Sequence, residues 1–290
     1  MTMRSINDSI NQGAQILREA GVPEYRRDAR SLLEHNLSKD RTYLITNSDE
    51  LLDDAEFDRY LAMIQRRAVG EPLQYITGVQ DFFGRQFHVS PAVLIPRPET
   101  ELLVEAALRL LTNSDGPSIC DVGTGSGCIA ISILCERADA KATAVDISDS
   151  ALDVARLNAN RLEVTNRIEF VLSDCFERLD PSHEFNIIVS NPPYVAAEML
   201  PGLQREVRDH EPLTALSPGG DGLSVIRRIL REAPEFLTEG GYLLLEIGFD
   251  QGEKVEQMIQ PPFQLIEILP DLQGIPRIVV LKRVSLLTRI

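Results

Sequence analysis

The strongest constraint on the fold of this chain is the regular alternation of strand and helix patterns that begins after Pro98. Short apolar runs, typical of buried strands, alternate with longer segments whose apolar residues recur at helical spacing. The predicted strands are residues 117–122, 140–146, 167–173, 185–190, 241–247, 263–269 and 276–283, and the predicted helices are residues 99–112, 127–137, 149–162, 222–237 and 251–260. Such alternation predicts an α/β fold with a doubly wound, mostly parallel seven-stranded sheet.

The residues that precede this region follow a different pattern. Residues 1–75 predict a small helical domain, in which Asp53 and Glu56 stand at capping-box spacing before an apolar helix face. Aromatic and β-branched residues over 76–97, interrupted by glycine and proline, predict a β-hairpin linker. We therefore expect three parts: an N-terminal helical domain (1–75), a hairpin linker (76–97) and an α/β domain (98–290).

The charge of the chain bears on its partners. The formal net charge is −15, whereas nucleic-acid binding depends on Lys and Arg side chains that neutralise phosphates. Residues 1–80, the best place for a separate recognition module, contain ten Lys or Arg against thirteen Asp or Glu. We therefore expect no direct contact with nucleic acid, and a basic protein surface is the better-matched partner.

Location and metal content can also be predicted from composition. No apolar run reaches the roughly 18 residues that a membrane span requires, and the polar N-terminus lacks the apolar region of a signal peptide. The four cysteines form no Cys-x-x-Cys pair, and the four histidines are scattered. We expect a cytoplasmic monomer that uses neither membrane nor metal. Three of the four cysteines (Cys120, Cys128, Cys135 and Cys175) fall in apolar segments, where a free cysteine behaves as a small buried hydrophobe.

A glycine-rich turn follows the first strand of the α/β region. The residues are Gly123, Thr124, Gly125, Ser126 and Gly127, and an apolar helix begins directly after them. Glycines at alternate positions allow the backbone to turn tightly and to approach a ligand without a Cβ in between. The helix N-terminus then offers unpaired N–H groups to that ligand. Because glycine turns are common, this feature alone is weak.

A carboxylate at the end of the next strand strengthens the prediction of a nucleoside site. Asp146 stands 19 residues beyond Gly127, where an acid commonly holds the ribose hydroxyls. These two features fit either a nicotinamide dinucleotide or S-adenosylmethionine. The Gly-x-Gly-x-Gly spacing, together with an acid at Asp121 just before the turn, favours S-adenosylmethionine.

The end of the third strand should lie beside the adenine ring of such a cofactor. Asp174 could accept a hydrogen bond from the exocyclic amine, and Phe176 could present an apolar face to the ring. A solvated Asp174 and a core Phe176 are the alternative.

The fourth strand ends in a loop that suits amide chemistry. Asn191, Pro192, Pro193 and Tyr194 follow an apolar strand, and the two prolines stiffen the loop and remove two backbone donors. The Asn191 side chain and the Pro192 carbonyl remain as acceptors for a planar nitrogen that bears two N–H protons. Tyr194 could pack on the flat group. In-line positioning supplies much of the rate of such a transfer, so this loop is the predicted catalytic element.

At this point the chain resembles the glutamine methyltransferases that modify bacterial peptide chain release factors. The resemblance covers essentially the whole chain, and its most specific part is Arg97–Glu101. The segments that carry it are Gly70–Gly78, Leu94–Glu101, Gly123–Gly127, Ser190–Tyr194, Glu211–Leu216 and Gly240–Glu246.

The resemblance implies a fold, a substrate and a set of contacts. The fold is that of class I S-adenosylmethionine-dependent methyltransferases, and the substrate is the glutamine of the Gly-Gly-Gln motif of release factors, with S-adenosylhomocysteine as second product. Cofactor contacts are implied for Gly123–Gly127, Asp146, position 175 and Asn191, and glutamine contacts for Asn191–Tyr194. The family often has a large residue where this chain has Cys175, so Phe176 is expected to compensate.

Three alternatives remain at this point. A related enzyme methylates a glutamine of a large-subunit ribosomal protein, but it usually lacks the Pro-Glu-Thr-Glu stretch present at Pro98–Glu101. DNA or RNA adenine methyltransferases use a similar loop to hold an exocyclic amine, and the negative charge of this chain argues against them. The third alternative is a non-catalytic nucleotide-binding scaffold. The presence of Asn191 together with an intact glycine-rich turn argues against it.

Overall fold

The computed structural model describes residues 4–285 and divides into two compact units. The first contains the chain up to Val79 together with Gln204–His210, and the second contains Gln80–Leu203 and the chain from Glu211 onward. The first unit is therefore discontinuous in sequence, which the predicted division of the chain did not include.

The first unit is helical, as the sequence predicts. Its elements up to Thr77 are β1 (Arg4–Ser5), α1 (Ile6–Glu19), α2 (Tyr25–Leu37), α3 (Arg41–Thr46), β2 (Leu51–Leu52), α4 (Asp54–Ala68) and α5 (Leu73–Thr77). The capping box at the start of α4 is confirmed: Glu56 N donates to Asp53 Oδ1 at 2.7 Å, and Asp53 N donates to Glu56 Oε2 at 3.0 Å. Apolar side chains of α1, α2 and α4, among them Leu17, Leu32 and Ile64, form a core of their own.

A buried arginine explains why Gln204–His210 belongs to this unit. Arg67 Nε lies 2.8 Å from Asp28 Oδ2, and Arg67 Nη1 lies 2.7 Å from Glu206 Oε2. Arg67 and Asp28 are both buried. The arginine therefore joins α2, α4 and the segment around Glu206 by ion pairs that water does not screen well.

The second unit begins in the hairpin β3 (Val79–Phe82) and β4 (Arg85–His88). The elements that follow are α6 (Glu101–Leu110), β5 (Ser118–Val122), α7 (Cys128–Glu136), β6 (Lys141–Asp146), α8 (Asp149–Arg161), β7 (Ile168–Leu172), β8 (Phe185–Ser190), α9 (Arg205–His210, in the first unit), α10 (Leu213–Leu216), α11 (Ser224–Glu232), β9 (Leu237–Glu246), α12 (Gly252–Glu256), β10 (Phe263–Pro270) and β11 (Pro276–Arg283). The predicted strands and helices occur in the predicted order, but the short helices α9 and α10 were not predicted.

Seven strands of the described residues form one sheet in the order β10-β11-β9-β8-β5-β6-β7. The pairs β9–β8, β8–β5, β5–β6 and β6–β7 are parallel, whereas β11 runs antiparallel to both of its neighbours. The strand order reverses direction at β5, next to β8, which is where an open α/β sheet forms a crevice for ligands. The predicted doubly wound, mostly parallel sheet is confirmed.

Both faces of the sheet are covered by apolar side chains. Within β8, Ile187 and Val189 belong to the core beneath α6, α7 and α8, and Ile188 belongs to the core beneath α11 and α12. This alternation is the period-2 pattern of a strand that is buried on both faces. The core therefore fixes the register of β8 and with it the position of the loop at its end.

Three predicted element boundaries differ from the structure by four residues or more: two helix ends and the start of β9, which begins at Leu237 and not at residue 241. The helix predicted over 222–237 ends at Glu232, because Pro234 cannot continue its hydrogen-bond ladder. The helix predicted over 251–260 is confined to Gly252–Glu256. Among residues 4–285, no helix is long and apolar enough to cross a membrane.

Candidate active site

A cavity of about 330 Å³ lies in the second unit, at the carboxyl ends of its parallel strands. Because the ends of parallel strands meet at one edge of a sheet, loops far apart in sequence converge there. Of the residues predicted to bind cofactor or substrate, the structure brings to the cavity wall Gly123, Thr124, Gly125, Ser126, Asp146, Asp174, Cys175, Asn191, Pro192 and Pro193.

The glycine-rich turn forms one wall with its backbone. Gly123 and Gly125 have φ angles of 75° and 54°, in the left-handed region that favours glycine. A Cβ at either position would meet no protein atom within 4 Å, so this part of the wall is open to a ligand. Gly127 has another role: it does not line the cavity, and a Cβ there would lie 2.6 Å from Ile131 Cδ1. It allows α7 to begin close to the turn.

Asp121 supports this turn from below. Its side chain is fully buried, and its Oδ2 accepts hydrogen bonds from Thr124 Oγ1 at 2.8 Å and from Ala130 N at 3.2 Å. Burial raises the pKa of Asp121 to about 7, although both hydrogen bonds lower it. Asp121 does not line the cavity. It forms a hydrogen bond with Thr124, which does line the cavity, and so supports the glycine-rich turn.

Asp146 lies at the end of β6 and faces the cavity. Its carboxylate is held by two backbone donors, Gly125 N at 2.8 Å and Ser148 N at 2.9 Å. Burial raises its pKa, and these backbone hydrogen bonds oppose the rise. The carboxylate is thus fixed in direction, and each oxygen retains acceptor capacity for a further donor.

The loop after β7 contributes Ser173, Asp174 and Cys175 to the wall. Asp174 Oδ2 forms an ion pair with Arg228 Nη1 at 2.7 Å, which holds the carboxylate at the rim. Cys175 has a φ angle of +49°, unusual for a residue with a side chain. Burial raises the pKa of its thiol to about 12, so it is a neutral thiol at the cavity wall. It is one of the three buried cysteines of the described chain, and Cys135 is half-buried.

Phe176 does not occupy the predicted position. Its side chain is buried in the core and stacks on Phe236, with ring centroids 5.0 Å apart and planes inclined by 14°. It does not line the cavity, because the left-handed backbone at Cys175 turns the next side chain into the core. Only the small Cys175 side chain therefore occupies this part of the wall.

The loop after β8 brings Asn191 to the cavity wall. Asn191 Nδ2 donates to Thr100 Oγ1 at 3.1 Å. No hydrogen bond from any described residue reaches Asn191 Oδ1 or the Pro192 carbonyl, so both remain available as acceptors. The preceding Ser190 is buried and donates to Val122 O at 2.6 Å, which ties this loop to the end of β5.

Tyr194 does not line the cavity. Its hydroxyl lies 3.4 Å from Glu246 Oε1, and burial raises its pKa. Its carbonyl accepts a hydrogen bond from Gln251 Nε2 at 2.9 Å, and a Cβ at Gly222 would lie 2.2 Å from that same oxygen. Tyr194 therefore holds the loop in place, whereas Asn191, Pro192 and Pro193 line the cavity.

Two further wall segments were not predicted as site residues. They are residues 92–97, with Arg97 and nearby Thr100, and residues 212–218. Arg97 Nη2 lies 2.6 Å from the buried carboxylate of Glu211, which joins the two segments. Both belong to stretches that carried the family resemblance, but their composition gave no indication of a role. In the described chain, no group of three His, Cys, Asp or Glu residues could hold a metal ion.

Solved structures share the fold of this chain at low sequence identity. The hMettl16 catalytic domain in complex with MAT2A 3′UTR hairpin 6 has a TM-score of 0.53 and 15% identity, over 84% of this chain and 92% of that one. The Thermus thermophilus 16S rRNA N2 G1207 methyltransferase has a TM-score of 0.51 and 19% identity, over 71% of this chain and 50% of that one. These similarities establish the methyltransferase fold.

Sequence relatives are much closer. A family model described as the PrmC N-terminal domain matches residues 8–78, and one described as the methyltransferase small domain matches residues 98–207. The release factor glutamine methyltransferase of Koribacter versatilis is 44% identical over 97% of this chain and 98% of its own length. That of Burkholderia pseudomallei is 45% identical over 95% of this chain and 97% of its own length. The chain belongs to the release factor glutamine methyltransferase family.

Proposed function

We propose that this chain transfers a methyl group from S-adenosylmethionine to the side-chain amide nitrogen of the glutamine in the Gly-Gly-Gln motif of release factors. The observation that carries the proposal is that one cavity is lined both by the glycine-rich turn with Asp146 and by Asn191 with Pro192. A nucleoside-binding site and an amide-binding site therefore lie in the same cavity.

The glycine-rich turn and Asp146 fit S-adenosylmethionine. Gly123 and Gly125 leave their backbone open to a ligand, and Asp146 is a fixed acceptor suited to ribose hydroxyls. When bound, S-adenosylmethionine supplies a methyl group that is already activated by a positively charged sulfur. The chain therefore needs no metal or strong acid for the transfer, and its remaining task is to present the nucleophile.

Asn191 and Pro192 fit a primary amide. An amide nitrogen is a poor nucleophile because its lone pair is delocalised into the carbonyl. Asn191 Oδ1 and the Pro192 carbonyl can accept its two N–H groups, which orients the nitrogen and increases its electron density. Pro192 and Pro193 keep this acceptor pair rigid, so little ordering is required when the substrate enters. The sulfur–methyl bond breaks as the nitrogen–methyl bond forms, and the nitrogen loses one proton, so the products are the methylated glutamine, S-adenosylhomocysteine and a proton.

Isotope transfer tests the substrate assignment. Purified release factors, a large-subunit ribosomal protein fraction, and DNA or RNA are incubated with the enzyme and methyl-labelled S-adenosylmethionine, and products are analysed by mass spectrometry. We expect one added methyl group on the Gly-Gly-Gln glutamine and none on the other substrates. Label on the ribosomal protein or on adenine, with release factors unlabelled, would disprove the proposal.

A substitution separates catalysis from cofactor binding. Asn191→Ala should lower turnover by roughly 10²-fold or more, because the acceptor that orients the amide is lost. Binding of S-adenosylmethionine, measured by calorimetry, should change much less. Near-normal turnover of this variant would show that the loop has been assigned the wrong role.

The remaining expectations about the partner follow from this proposal. A release factor that approaches the cavity presents its Gly-Gly-Gln loop, and an enzyme that modifies a translation factor is expected in the cytoplasm. A monomer remains the prediction from the sequence.

A further inference from the structure

One arginine of α11 binds three carboxylates around the loop after β7. Arg228 Nη1 lies 2.7 Å from Asp174 Oδ2, Nη2 lies 2.8 Å from Glu177 Oε1, and Nε lies 3.1 Å from Glu232 Oε1. The Arg228 side chain is 21% exposed, so water screens these pairs only in part. Asp174 forms no other ion pair in the part of the chain that the structure describes. Its carboxylate therefore depends on Arg228 for a charged partner.

The same guanidinium also holds the backbone of this loop. Arg228 Nη2 donates to the Asp174 carbonyl at 3.1 Å, in addition to the ion pair with the Asp174 side chain. The next residue, Cys175, has a φ angle of +49°, in the left-handed region. A residue with a side chain keeps such a conformation only where its surroundings determine it. Here the hydrogen bond to the preceding carbonyl and the burial of the following Phe176 ring determine it.

Arg228 does not itself line the cavity. Asp174 and Cys175 do, and so does Val225, one helical turn before Arg228 on α11. The planar guanidinium carries five donors in a fixed arrangement, so it can hold the carboxylate and the carbonyl of Asp174 at the same time. Arg228 therefore affects a bound molecule through the wall residues that it holds.

The sequence predicts that Asp174 accepts a hydrogen bond from the exocyclic amine of adenine. A carboxylate oxygen can accept more than one hydrogen bond, so the ion pair with Arg228 leaves acceptor capacity for this amine. Without Arg228, the carboxylates of Asp174, Glu177 and Glu232 would lose the cation that they share. Their mutual repulsion and the free rotation of the Asp174 side chain would then move the acceptor from its place at the cavity wall.

We propose that Arg228 is a positioning residue that holds the Asp174 carboxylate in the direction required to select adenine over a 6-oxopurine in the cofactor. A 6-oxopurine has a carbonyl oxygen in place of the amine, so a fixed carboxylate would face a second acceptor with no proton between them. This inference rests on the proposed function, because a nucleoside cofactor is what places a purine in the cavity.

Calorimetry on the full-length protein tests the role with two ligands, S-adenosylhomocysteine and S-inosylhomocysteine, which carry an amine and an oxygen at purine position 6. The unsubstituted protein should bind the adenosyl compound about tenfold or more tightly, since a hydrogen bond to a charged acceptor is gained with one ligand and lost with the other. Arg228→Met should reduce this preference to about twofold, mainly by weakening the adenosyl compound. A general loss of structure would weaken both ligands and leave their ratio unchanged.

Arg231→Met is the matched control on the same helix. Arg231 pairs with Glu232 at 2.9 Å, and its side chain is 72% exposed, so the preference for the adenosyl compound should remain. Arg228→Lys keeps the charge without the planar arrangement of donors and should give an intermediate preference. Asp174→Ala should abolish the preference, and adding Arg228→Met to it should change the ratio no further, because both substitutions act on one carboxylate.

Steady-state kinetics give a second measurement of the same role. Arg228→Met should raise KM for S-adenosylmethionine about tenfold, whereas kcat and KM for the release factor should change little, because the Asn191 loop is not altered. An unchanged preference in Arg228→Met, or in Arg228→Lys where the methionine variant does not fold, would overturn the positioning role. So would an unsubstituted protein that binds the two ligands equally. A protein that prefers the adenosyl compound but methylates no release factor would contradict the proposed function instead, so the two failures are distinguishable.

Discussion

At the scale of single residues, Asp146 does two things at once. Its carboxylate accepts the Gly125 and Ser148 N–H groups, which fixes the turn beside it, and it faces the cavity where a ribose would bind. The same group therefore shapes the cofactor wall and supplies its acceptor. A substitution should weaken binding through both effects.

We expect Asp146→Ala to weaken binding of S-adenosylmethionine by roughly 1–3 kcal/mol, the cost of leaving hydroxyl and N–H donors without a partner. Isothermal titration calorimetry gives this difference directly. Asp149→Ala is the matched control, because Asp149 is an exposed carboxylate on the first turn of α8. If both variants bind equally well, Asp146 is not a cofactor ligand. Tight binding of a nicotinamide dinucleotide would reject the cofactor assignment itself.

The sequence located some site residues and not others, for a physical reason. Gly123 and Asn191 follow directly on buried strands and Asp146 ends one, so the position of the strand determines where they lie. Phe176 lies in the loop beyond the end of β7, and its direction depends on the left-handed backbone at Cys175, which no local sequence pattern indicates. Thr100 was missed because its contact is with Asn191, which is 91 residues away in sequence.

At the scale of elements, the first unit depends on an arginine that two helices and a distant segment share. Arg67 on α4 pairs with Asp28 on α2 and with Glu206, and it also donates to Glu71 O at 2.9 Å. The neighbouring Arg66 pairs with Glu71 at 2.5 Å, but its side chain is 48% exposed. The two arginines are adjacent in sequence but differ in burial and in the number of their partners, so Arg66 is an exposed control for the buried Arg67.

We expect Arg67→Met to destabilise the first unit by about 3–5 kcal/mol, because Asp28 would be left buried without its partner. Arg66→Met should cost about 0–1 kcal/mol, as exposed ion pairs do. Urea unfolding followed by circular dichroism measures both. Equal losses in the two variants would show that burial of the Arg67–Asp28 pair does not control the stability of these helices.

The order of the elements could be predicted, whereas the set of segments that make up the first unit could not. Strand and helix periodicity is a local property, so β5 to β11 and the longer helices between them could be predicted with errors of a few residues at their ends, whereas the short helices α9 and α10 were missed. The Gln204–His210 segment joins the first unit only through contacts such as Glu206 with Arg67. No pattern within that segment distinguishes it from its neighbours in sequence.

At the scale of the whole molecule, the cavity belongs to only one of the two units. All the residues that line the cavity belong to the second unit. The first unit contributes none of them, although it comprises more than a quarter of the chain and has a core of its own. A Gly-Gly-Gln loop offers few side-chain features, so recognition of a release factor requires contacts elsewhere on its surface. We propose that the first unit provides them.

Removal of residues 1–75 should therefore separate two substrates. Methylation of an intact release factor should lose at least about tenfold in kcat/KM, equivalent to about 1.4 kcal/mol of docking free energy. Methylation of a short Gly-Gly-Gln peptide and binding of S-adenosylmethionine should change little, because the cavity remains complete. The truncation also deprives Glu206 of Arg67, so a cooperative thermal transition must first show that the second unit is folded. Given a folded protein, equal losses on peptide and release factor would argue against docking, since only a contact outside the cavity can distinguish the two substrates.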